Sequence, residues 1–339
     1  MTAVSSPRRR YALVALVAVT ALAGCGAAPT GAGSGSPPAA VTAVAVTSTA
    51  SSSGCGRRPT PTSRVTGATG TGDVVQTLRV GALDRSYRLA VPTHYRSSVA
   101  SPLILLFHGS GSNALQTSVY TQMPKRAARD GYLVATPDAR DGQWQLSSPG
   151  ARTDDLAFVA ALVSSLSSRY CVDRFRVSAA GISLGSEFAS IVACTPADRI
   201  AAIGLVAAEF LLRPCRGPIP VVAFHGTADP IVAYRSGGTG AALPGVPVIG
   251  VEDNLAHWAR LDGCSSGPHL HQVGTMVMRR TWSGCKGGSG VVLYSVLGGG
   301  HTWPGSPIDL SAAGFGATTH QVDATGLMLA FFGRHRLER

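Results

Sequence analysis

The pattern G-x-S-x-G at residues 181–185 constrains the fold of this chain more than any other feature of its sequence. Residues 174–180 precede it and favour a buried strand, whereas residues 184–193 favour a helix. Between a strand and a helix, this pattern makes a tight, strained turn in which glycines let the chain pack closely around the serine. The alternative is an ordinary turn of glycine and serine, since short patterns also occur by chance. The flanking elements favour the first interpretation, in which Ser183 is an exposed nucleophile.

A nucleophilic serine needs a base, and the base needs an acid that orients it. Residues 219–224 favour a strand, and Asp229 follows it. Residues 291–297 favour another strand, and His301 follows that one on a glycine-rich loop. Open α/β sheets carry out their chemistry at the carboxyl ends of the strands. Each residue alone could be a turn or loop residue, but the chain order Ser183, Asp229, His301 is the α/β-hydrolase triad order, so we predict nucleophile, acid and base.

The oxyanion hole is predicted on a loop after an early strand. Residues 102–107 are apolar and favour that strand, and small residues follow at 109–112. Folds of this kind take one backbone donor from the residue after the nucleophile, here Leu184, and another from such a loop, here Ser110. We interpret His108, at the start of the loop, as a structural residue.

Asp155 is the alternative candidate for the catalytic acid. It lies at the start of a predicted helix over residues 153–169 and precedes the nucleophile in the chain. Because acidic residues at a helix start usually satisfy the free amide groups there, we predict a capping role for Asp155.

Apolar periodicity predicts alternating strands and helices along the chain. Strands are predicted near residues 75–80, 86–91, 103–108, 132–137, 174–180, 201–207, 219–224 and 291–297, with a further apparent strand over 271–282. Helices are predicted near residues 119–130, 153–169, 184–193, 252–262 and 322–333. This alternation predicts the α/β class, with a mostly parallel central sheet and helices on both faces.

The N-terminus is predicted to be a targeting segment. Residues 8–10 are all arginine, and residues 11–21 are apolar but too few to span a bilayer as a helix. The sequence Leu-Ala-Gly-Cys at 22–25 resembles a bacterial lipobox. Residues 1–24 are therefore predicted to be a lipoprotein signal peptide and Cys25 the lipidated residue; a plain signal peptide with an incidental cysteine is the alternative. The export route, general secretory or twin-arginine, stays open.

Composition separates a tether from a folded domain. Residues 25–54 are rich in Ala, Gly, Ser, Thr and Pro and carry no charge, so they cannot bury a core and are predicted to be a disordered tether. Residues 55–339 suffice for a single catalytic domain. The formal net charge is +11, but no dense basic run with interleaved aromatic residues is present, which argues against nucleic acid as a partner.

Six of the seven cysteines remain if Cys25 is lipidated, and an even number in an exported protein predicts three disulfide bonds. The strand before Ser183 and the helix after it run antiparallel, so we expect the cysteines at their far ends to meet. Two more cysteines flank the apparent strand at 271–282, and the last two are left for each other. The predicted bonds are Cys171–Cys194, Cys264–Cys285 and Cys55–Cys215. No Cys/His spacing suits zinc, and no metal site is predicted.

Several segments resemble the carbohydrate-esterase family that groups feruloyl and acetylxylan esterases with poly(3-hydroxybutyrate) depolymerase-like proteins. The most specific is Gly-Gly-His-Thr-Trp-Pro-Gly at residues 299–305. The resemblance implies an α/β-hydrolase fold and a serine carboxylic-ester hydrolase with Ser183, Asp229 and His301 as its triad, without cofactor or metal. The matching segments are residues 53–56, 88–95, 107–109, 170–173, 181–185, 224–229, 258–264 and 299–305.

The details of the resemblance favour a feruloyl esterase acting on plant polysaccharide. The domain start near Cys55 and residues 234–238 look more like that side of the family. Residues 110–113 depart from the depolymerases, which often carry Cys and Gln there, and no separate polymer-binding module is present. Trp144 and Trp303 are predicted to line the acyl or sugar cleft, since flat apolar faces suit such groups; core packing is the alternative.

Other functions stay open at this point. The alternatives are a poly(3-hydroxybutyrate) depolymerase-like polyester hydrolase, an acetylxylan esterase, an envelope acyltransferase that uses an alcohol in place of water, and a non-catalytic binding protein on a hydrolase scaffold. We expect an exported monomer that acts on a small or polymeric ester. It would be extracellular or held on the outer side of the cell membrane by a lipid on Cys25.

Overall fold

The computed structural model describes residues 52–57, 73–146, 154–195, 200–211, 215–237 and 249–338. The predicted signal peptide, Cys25 and most of the predicted tether lie outside these residues. In the described part of the chain, no helix is both long enough and apolar enough to span a membrane.

Strands and helices alternate through the described residues. The strands are β1 (Asp73–Val80), β2 (Leu83–Ala90), β3 (Ser101–Phe107), β4 (Leu133–Pro137), β5 (Val172–Ile182), β6 (Ala202–Val206), β7 (Val221–Gly226), β8 (Ser266–Gln272), β9 (Val277–Ser283) and β10 (Val291–Val296). The α-helices are α1 (Ala114–Thr121), α2 (Met123–Arg129), α3 (Asp154–Arg169), α4 (Leu184–Ala193), α5 (Val251–Leu261) and α6 (Ala324–Phe332). The single helix predicted over 119–130 is thus two, divided at Gln122, whose φ of 54° interrupts the helical backbone.

These strands form one sheet in the order β1-β2-β4-β3-β5-β6-β7-β10-β9-β8. From β4 to β10, each neighbouring pair runs parallel. The hairpins β1–β2 and β8–β9 add antiparallel strands at the two edges. The predicted mostly parallel sheet is confirmed. The carboxyl ends of its six parallel strands, β4, β3, β5, β6, β7 and β10, lie at the same end of the sheet.

Helices cover both faces of the sheet because the central strands are apolar on both sides. In β3, Leu103 and Leu105 face one buried cluster, and Ile104 and Leu106 face the other. The first cluster takes side chains from α3, α4 and α5, and the second takes them from α2 and α6. This is the doubly covered arrangement that the alternating pattern predicts.

The apparent strand over 271–282 is wrong in one respect: the segment belongs to a hairpin of two strands. Gly274 has a φ of 69° in the turn between β8 and β9, and Val273 donates to Val277 O across it at 2.7 Å. Every residue of β8 is exposed. Its sequence therefore lacks the alternation of apolar and polar residues by which β8 and β9 could have been recognised as two strands.

The folded domain begins earlier than the predicted boundary at Cys55. Ser52 Oγ donates to the carbonyl of Tyr170 at 2.7 Å and accepts from the amide of Val172 at 2.9 Å. Gly54 is in such close contact that a Cβ there would lie 2.4 Å from Tyr170 O. Residues 52–54 therefore pack on the domain and are not part of a free tether.

Two of the three predicted disulfide bonds are wrong. The structure joins Cys55 to Cys171 and Cys194 to Cys215, whereas Cys264–Cys285 is the pair that the sequence predicted. The error came from the lengths of β5 and α4. The 11 residues of β5 extend about 36 Å at ~3.3 Å each. The 10 residues of α4 rise only about 15 Å, so the helix ends well short of Cys171.

Candidate active site

Ser183 occupies the turn between β5 and α4 with φ 55° and ψ −127°. This left-handed conformation is strained for a serine. Close backbone contacts leave no room for a side chain at either glycine of the turn. A Cβ on Gly181 would lie 2.2 Å from Gly185 O, and a Cβ on Gly185 would lie 2.4 Å from the carbonyl oxygens of Phe107 and His108. The turn is held on the sheet because the Ser183 amide donates to Val206 O at 2.8 Å.

His301 and Asp229 are in direct contact. His301 Nδ1 donates to Asp229 Oδ2 at 2.8 Å, and the His301 side chain is only 4% exposed. Asp229 follows β7 and His301 follows β10, which are adjacent parallel strands. Ser183 follows β5, which is parallel to both and lies two positions from β7 in the sheet. The three predicted residues thus lie at the same end of the sheet, where the parallel strands have their carboxyl ends.

The carboxylate of Asp229 is fixed from two directions. Its Oδ1 accepts from the amides of Ile231 and Val232 at 2.8 and 2.9 Å, which closes a tight turn on the aspartate's own loop. Its Oδ2 faces His301 and His225. Burial raises the pKa of Asp229, but hydrogen bonds from the two histidines lower it by more, so the group is held as an anion.

The predicted oxyanion loop lies directly against the nucleophile. A Cβ on Gly109 would lie 3.5 Å from Ser183 Cβ, which is van der Waals contact, so the backbone of this loop passes directly beside Ser183. Within the described residues, the backbone N–H groups of Ser110 and Leu184 donate to no protein acceptor. Two free donors beside a half-buried serine meet the requirement of an oxyanion hole.

His108 fixes that loop, as its interpretation as a structural residue predicts. Its Nε2 accepts from the amide of Ala139 at 3.0 Å, so the proton is on Nδ1, which donates to Gly109 O at 2.8 Å. Burial lowers the pKa of His108, which keeps this tautomer neutral. The ring joins the oxyanion loop to the loop after β4.

The carboxylate of Asp155 is bound by residues outside the predicted triad. Its Oδ1 accepts from Arg85 at 2.6 Å, and both side chains are buried. Its Oδ2 accepts from the amide of Gln145 at 2.9 Å. Both partners, an arginine on β2 and a loop amide, lie outside α3, so the described contacts of Asp155 do not support the capping role predicted from the sequence.

The two tryptophans predicted to line the cleft lie in the core. Trp144 is 3% exposed and stacks on Phe188, with ring centroids 4.6 Å apart. Trp303 is 1% exposed, and its indole N–H donates to Thr325 Oγ1 at 3.0 Å. This burial contradicts a role for either ring in an open cleft and agrees with the alternative of core packing.

Sequence reasoning missed three titratable residues near the predicted triad: His225 and Glu209, which are buried, and Glu187, which is half-buried. His225, at the end of β7, contacts both Asp229 and Glu209. Glu187, one helical turn after Ser183, has its pKa raised to about 7 by burial and by the nearby charge of Glu209. The one signal in the sequence was a histidine inside an apolar strand, four residues before the predicted catalytic acid.

Comparison with known proteins agrees with this geometry. The family described as "Esterase PHB depolymerase" matches residues 85–258. Feruloyl esterase B of Piromyces equi is 31% identical over 224 residues, covering 62% of this chain and 41% of that protein. The protein NocK of Nocardia uniformis subsp. tsuyamanensis is 29% identical over 297 residues, covering 80% and 86%. The chain thus spans less than two thirds of the length of the Piromyces enzyme.

Among solved structures, an acetyl xylan esterase from Aspergillus awamori has a TM-score of 0.54 and 16% sequence identity, and covers 71% of this chain and 99% of that chain. This similarity concerns the fold, which is the α/β-hydrolase fold. The family is assigned by the match over residues 85–258, which covers half of the chain. The chain belongs to the Esterase PHB depolymerase family.

Proposed function

We propose that this protein is a serine carboxylic-ester hydrolase with Ser183 as nucleophile, His301 as base and Asp229 as acid. The observation that carries the proposal is the 2.8 Å hydrogen bond from His301 Nδ1 to Asp229 Oδ2. It lies at the carboxyl end of the parallel strands, where Ser183 occupies a strained turn. Esterase relatives of the chain support the same chemistry.

In this mechanism Ser183 Oγ attacks the ester carbonyl carbon while His301 Nε2 takes the hydroxyl proton. The carbonyl electron pair moves onto its oxygen, and the amides of Leu184 and Ser110 stabilise that charge. The intermediate expels the alcohol, which takes the proton from His301, and leaves an acyl group on Ser183. Water, deprotonated by His301, then attacks the acyl-enzyme, and the carboxylic acid and free serine are released.

We propose a feruloyl ester of plant polysaccharide as the substrate. The support comes from the relatives, since the Piromyces equi protein is named feruloyl esterase B. One panel tests it: methyl ferulate, acetylated xylan, hydroxybutyrate oligomers and p-nitrophenyl acetate, each assayed with and without an added alcohol acceptor. We expect the highest kcat/KM with methyl ferulate and free ferulic acid as product. Preference for hydroxybutyrate would assign a polyester hydrolase instead, and acceptor-dependent ester product would assign a transferase.

We also propose that the protein is exported and held at the membrane by a lipid on Cys25. The lipobox-like sequence at residues 22–25 supports the anchor, and three disulfide bonds suit an oxidising compartment. Membrane fractions of cells that express the wild type or Cys25→Ser test this. The wild type should sediment with membranes and the variant should not; a variant that stays with the membrane would refute the anchor.

A further inference from the structure

A second histidine lies behind the catalytic acid, in a part of the domain closed to solvent. His225 is 2% exposed at the end of β7, and Glu209 is 1% exposed on the segment after β6. His225 Nδ1 lies 2.8 Å from one carboxylate oxygen of Glu209 and 3.0 Å from the other. Glu209 is fixed in turn, because Trp258 Nε1 donates to its backbone carbonyl at 2.9 Å.

The other ring nitrogen of His225 faces the catalytic site. Nε2 lies 3.1 Å from the carbonyl oxygen of Val232 and 3.2 Å from Asp229 Oδ2. A carbonyl oxygen only accepts, so Nε2 carries a proton. Burial raises the pKa of Glu209, and the charge of His225 and its hydrogen bond lower it. With Glu209 ionised, its carboxylate accepts from Nδ1, and the ring is a cation held between two carboxylates.

Electrostatics agree with this arrangement. Burial lowers the pKa of His225, but the carboxylates of Glu209 and Asp229 more than offset it and raise that pKa to about 10. The remaining polar neighbours are neutral or distant from the ring. Tyr234 stands edge-on to it with ring centroids 5.8 Å apart, and Ser295 lies opposite it on β10. Beyond them, Arg280 donates to Ser295 Oγ, and the charge of Glu209 acts on Glu187.

We propose that Glu209 and His225 form a buried positioning pair, in which Glu209 orients His225 and His225 holds and polarises the Asp229 carboxylate that orients His301. This inference rests on the proposed triad and adds two residues to it. Neither residue touches the substrate; both act through Asp229.

The pair has two effects on the triad. His225 approaches the same oxygen, Oδ2, that accepts from His301, so it restricts the carboxylate to the position that fits His301. Its positive charge also draws electron density from that oxygen, which weakens the stabilisation that Asp229 gives to the protonated form of His301. Loss of His225 therefore lowers kcat and moves the acidic limb of the kcat/KM profile to higher pH.

Two substitutions at His225 separate positioning from simple structural support. The amide nitrogen of asparagine stands two bonds from Cβ, like Nδ1, so His225→Asn keeps a donor toward Glu209 and loses the one toward Asp229. The amide nitrogen of glutamine stands three bonds from Cβ, like Nε2, so His225→Gln keeps a donor toward Asp229. A purely structural role would make the two variants equally active per folded molecule.

The experiment measures kcat, KM and the pH profile of p-nitrophenyl acetate hydrolysis for both variants, with the folded fraction taken from circular dichroism. We expect His225→Asn to lose about 10- to 100-fold in kcat with KM unchanged and its acidic limb at higher pH, and His225→Gln to lose less than about 10-fold. Equal losses with an unmoved acidic limb would overturn the inference. Ser183→Ala separates a failure of the proposed triad from a failure of the positioning pair. If Ser183→Ala stays active, the triad itself is wrong. If Ser183→Ala is inactive and both His225 variants are fully active, only the positioning pair is refuted.

A measurement on unsubstituted His225 covers the case in which neither variant folds. Nitrogen-15 NMR of histidine-labelled Ser183→Ala protein should show one imidazole that keeps protons on both nitrogens at pH 8, well above the ordinary range for histidine. A spectrum in which every histidine ring is singly protonated at pH 8 would contradict the buried cation and with it the pair.

Discussion

His301 donates from Nδ1 to Asp229 Oδ2 at 2.8 Å, although 72 positions of the chain separate the two residues. The contact exists because the strands that precede them, β7 and β10, are paired in parallel register. Two loops that leave neighbouring strands at the same edge must meet, so the sheet itself brings acid and base together.

Asp229→Asn should fold and lose about 10⁴-fold in kcat, the scale seen when the acid of other serine hydrolases is changed to its amide, because a neutral amide no longer holds His301 in the tautomer that accepts the serine proton. Asp155→Asn is the control. It weakens the buried contact to Arg85 and should cost about 3 kcal/mol of stability while kcat stays within tenfold. Assays of ester hydrolysis beside thermal melts check both, and a slow Asp155 variant with an active Asp229 variant would reverse the assignment of the acid.

Gly185→Ala should destabilise the domain and lower its activity. The added Cβ would lie 2.4 Å from the carbonyls of Phe107 and His108, so the start of the oxyanion loop must move. Gly217→Ala is the matched control, because a Cβ there meets nothing within 4 Å. We expect a clear fall in Tm and kcat for the first variant and none for the second; equal behaviour of the two would show that Gly185 is not required by close packing.

Glu187→Gln should change how stability depends on pH. Burial raises the pKa of Glu187 from 4.5 to about 7, so the folded protein takes up a proton there that the unfolded chain has already lost. The stability that this group provides is complete below pH 4.5 and is lost as the pH rises through 7. In thermal melts, the Tm of the variant relative to that of the wild type should therefore be higher at pH 8 than at pH 5. A difference that does not change between the two pH values would argue against a raised pKa of Glu187 in the folded protein.

The sequence was sufficient to predict the fold class and the candidate triad. Those features depend on local patterns: apolar runs of strand length, a G-x-S-x-G turn, and polar residues directly after strands. The pair of Glu209 and His225 could not be found in the same way, because it joins the ends of two strands through side chains with no periodic spacing. Trp144 and Trp303 were misplaced for a related reason, since composition says nothing about which apolar ring the core encloses.

The prediction of two disulfide bonds was wrong for a geometric reason that is not evident from the sequence. Pairing Cys171 with Cys194 required β5 and α4 to have similar lengths, but a strand extends more than twice as far per residue as a helix. Only the three-dimensional packing of the start of the domain brings Cys55 to Cys171.

Removing the Cys55–Cys171 bond should destabilise the domain more than removing Cys264–Cys285. The sequence separations are 116 and 21 residues, and a longer closed loop restricts the unfolded chain more. The model of chain entropy gives about 5 kcal/mol for the first and about 3 kcal/mol for the second. Denaturant melts of the two double-serine variants measure the difference, and non-reducing peptide mapping should recover Cys171 linked to Cys55; Cys171 found free or joined to Cys194 would contradict the structure.

The most direct test of the proposed mechanism is the esterase activity of Ser183→Ala. The variant should fold with the circular dichroism and Tm of the wild type, lose about 10⁴-fold or more in kcat, and resist labelling by a serine-directed phosphonate that modifies the wild type at Ser183. Near-wild-type turnover by a folded Ser183→Ala, or phosphonate found on another serine of the active wild type, would contradict the proposal that Ser183 is the nucleophile.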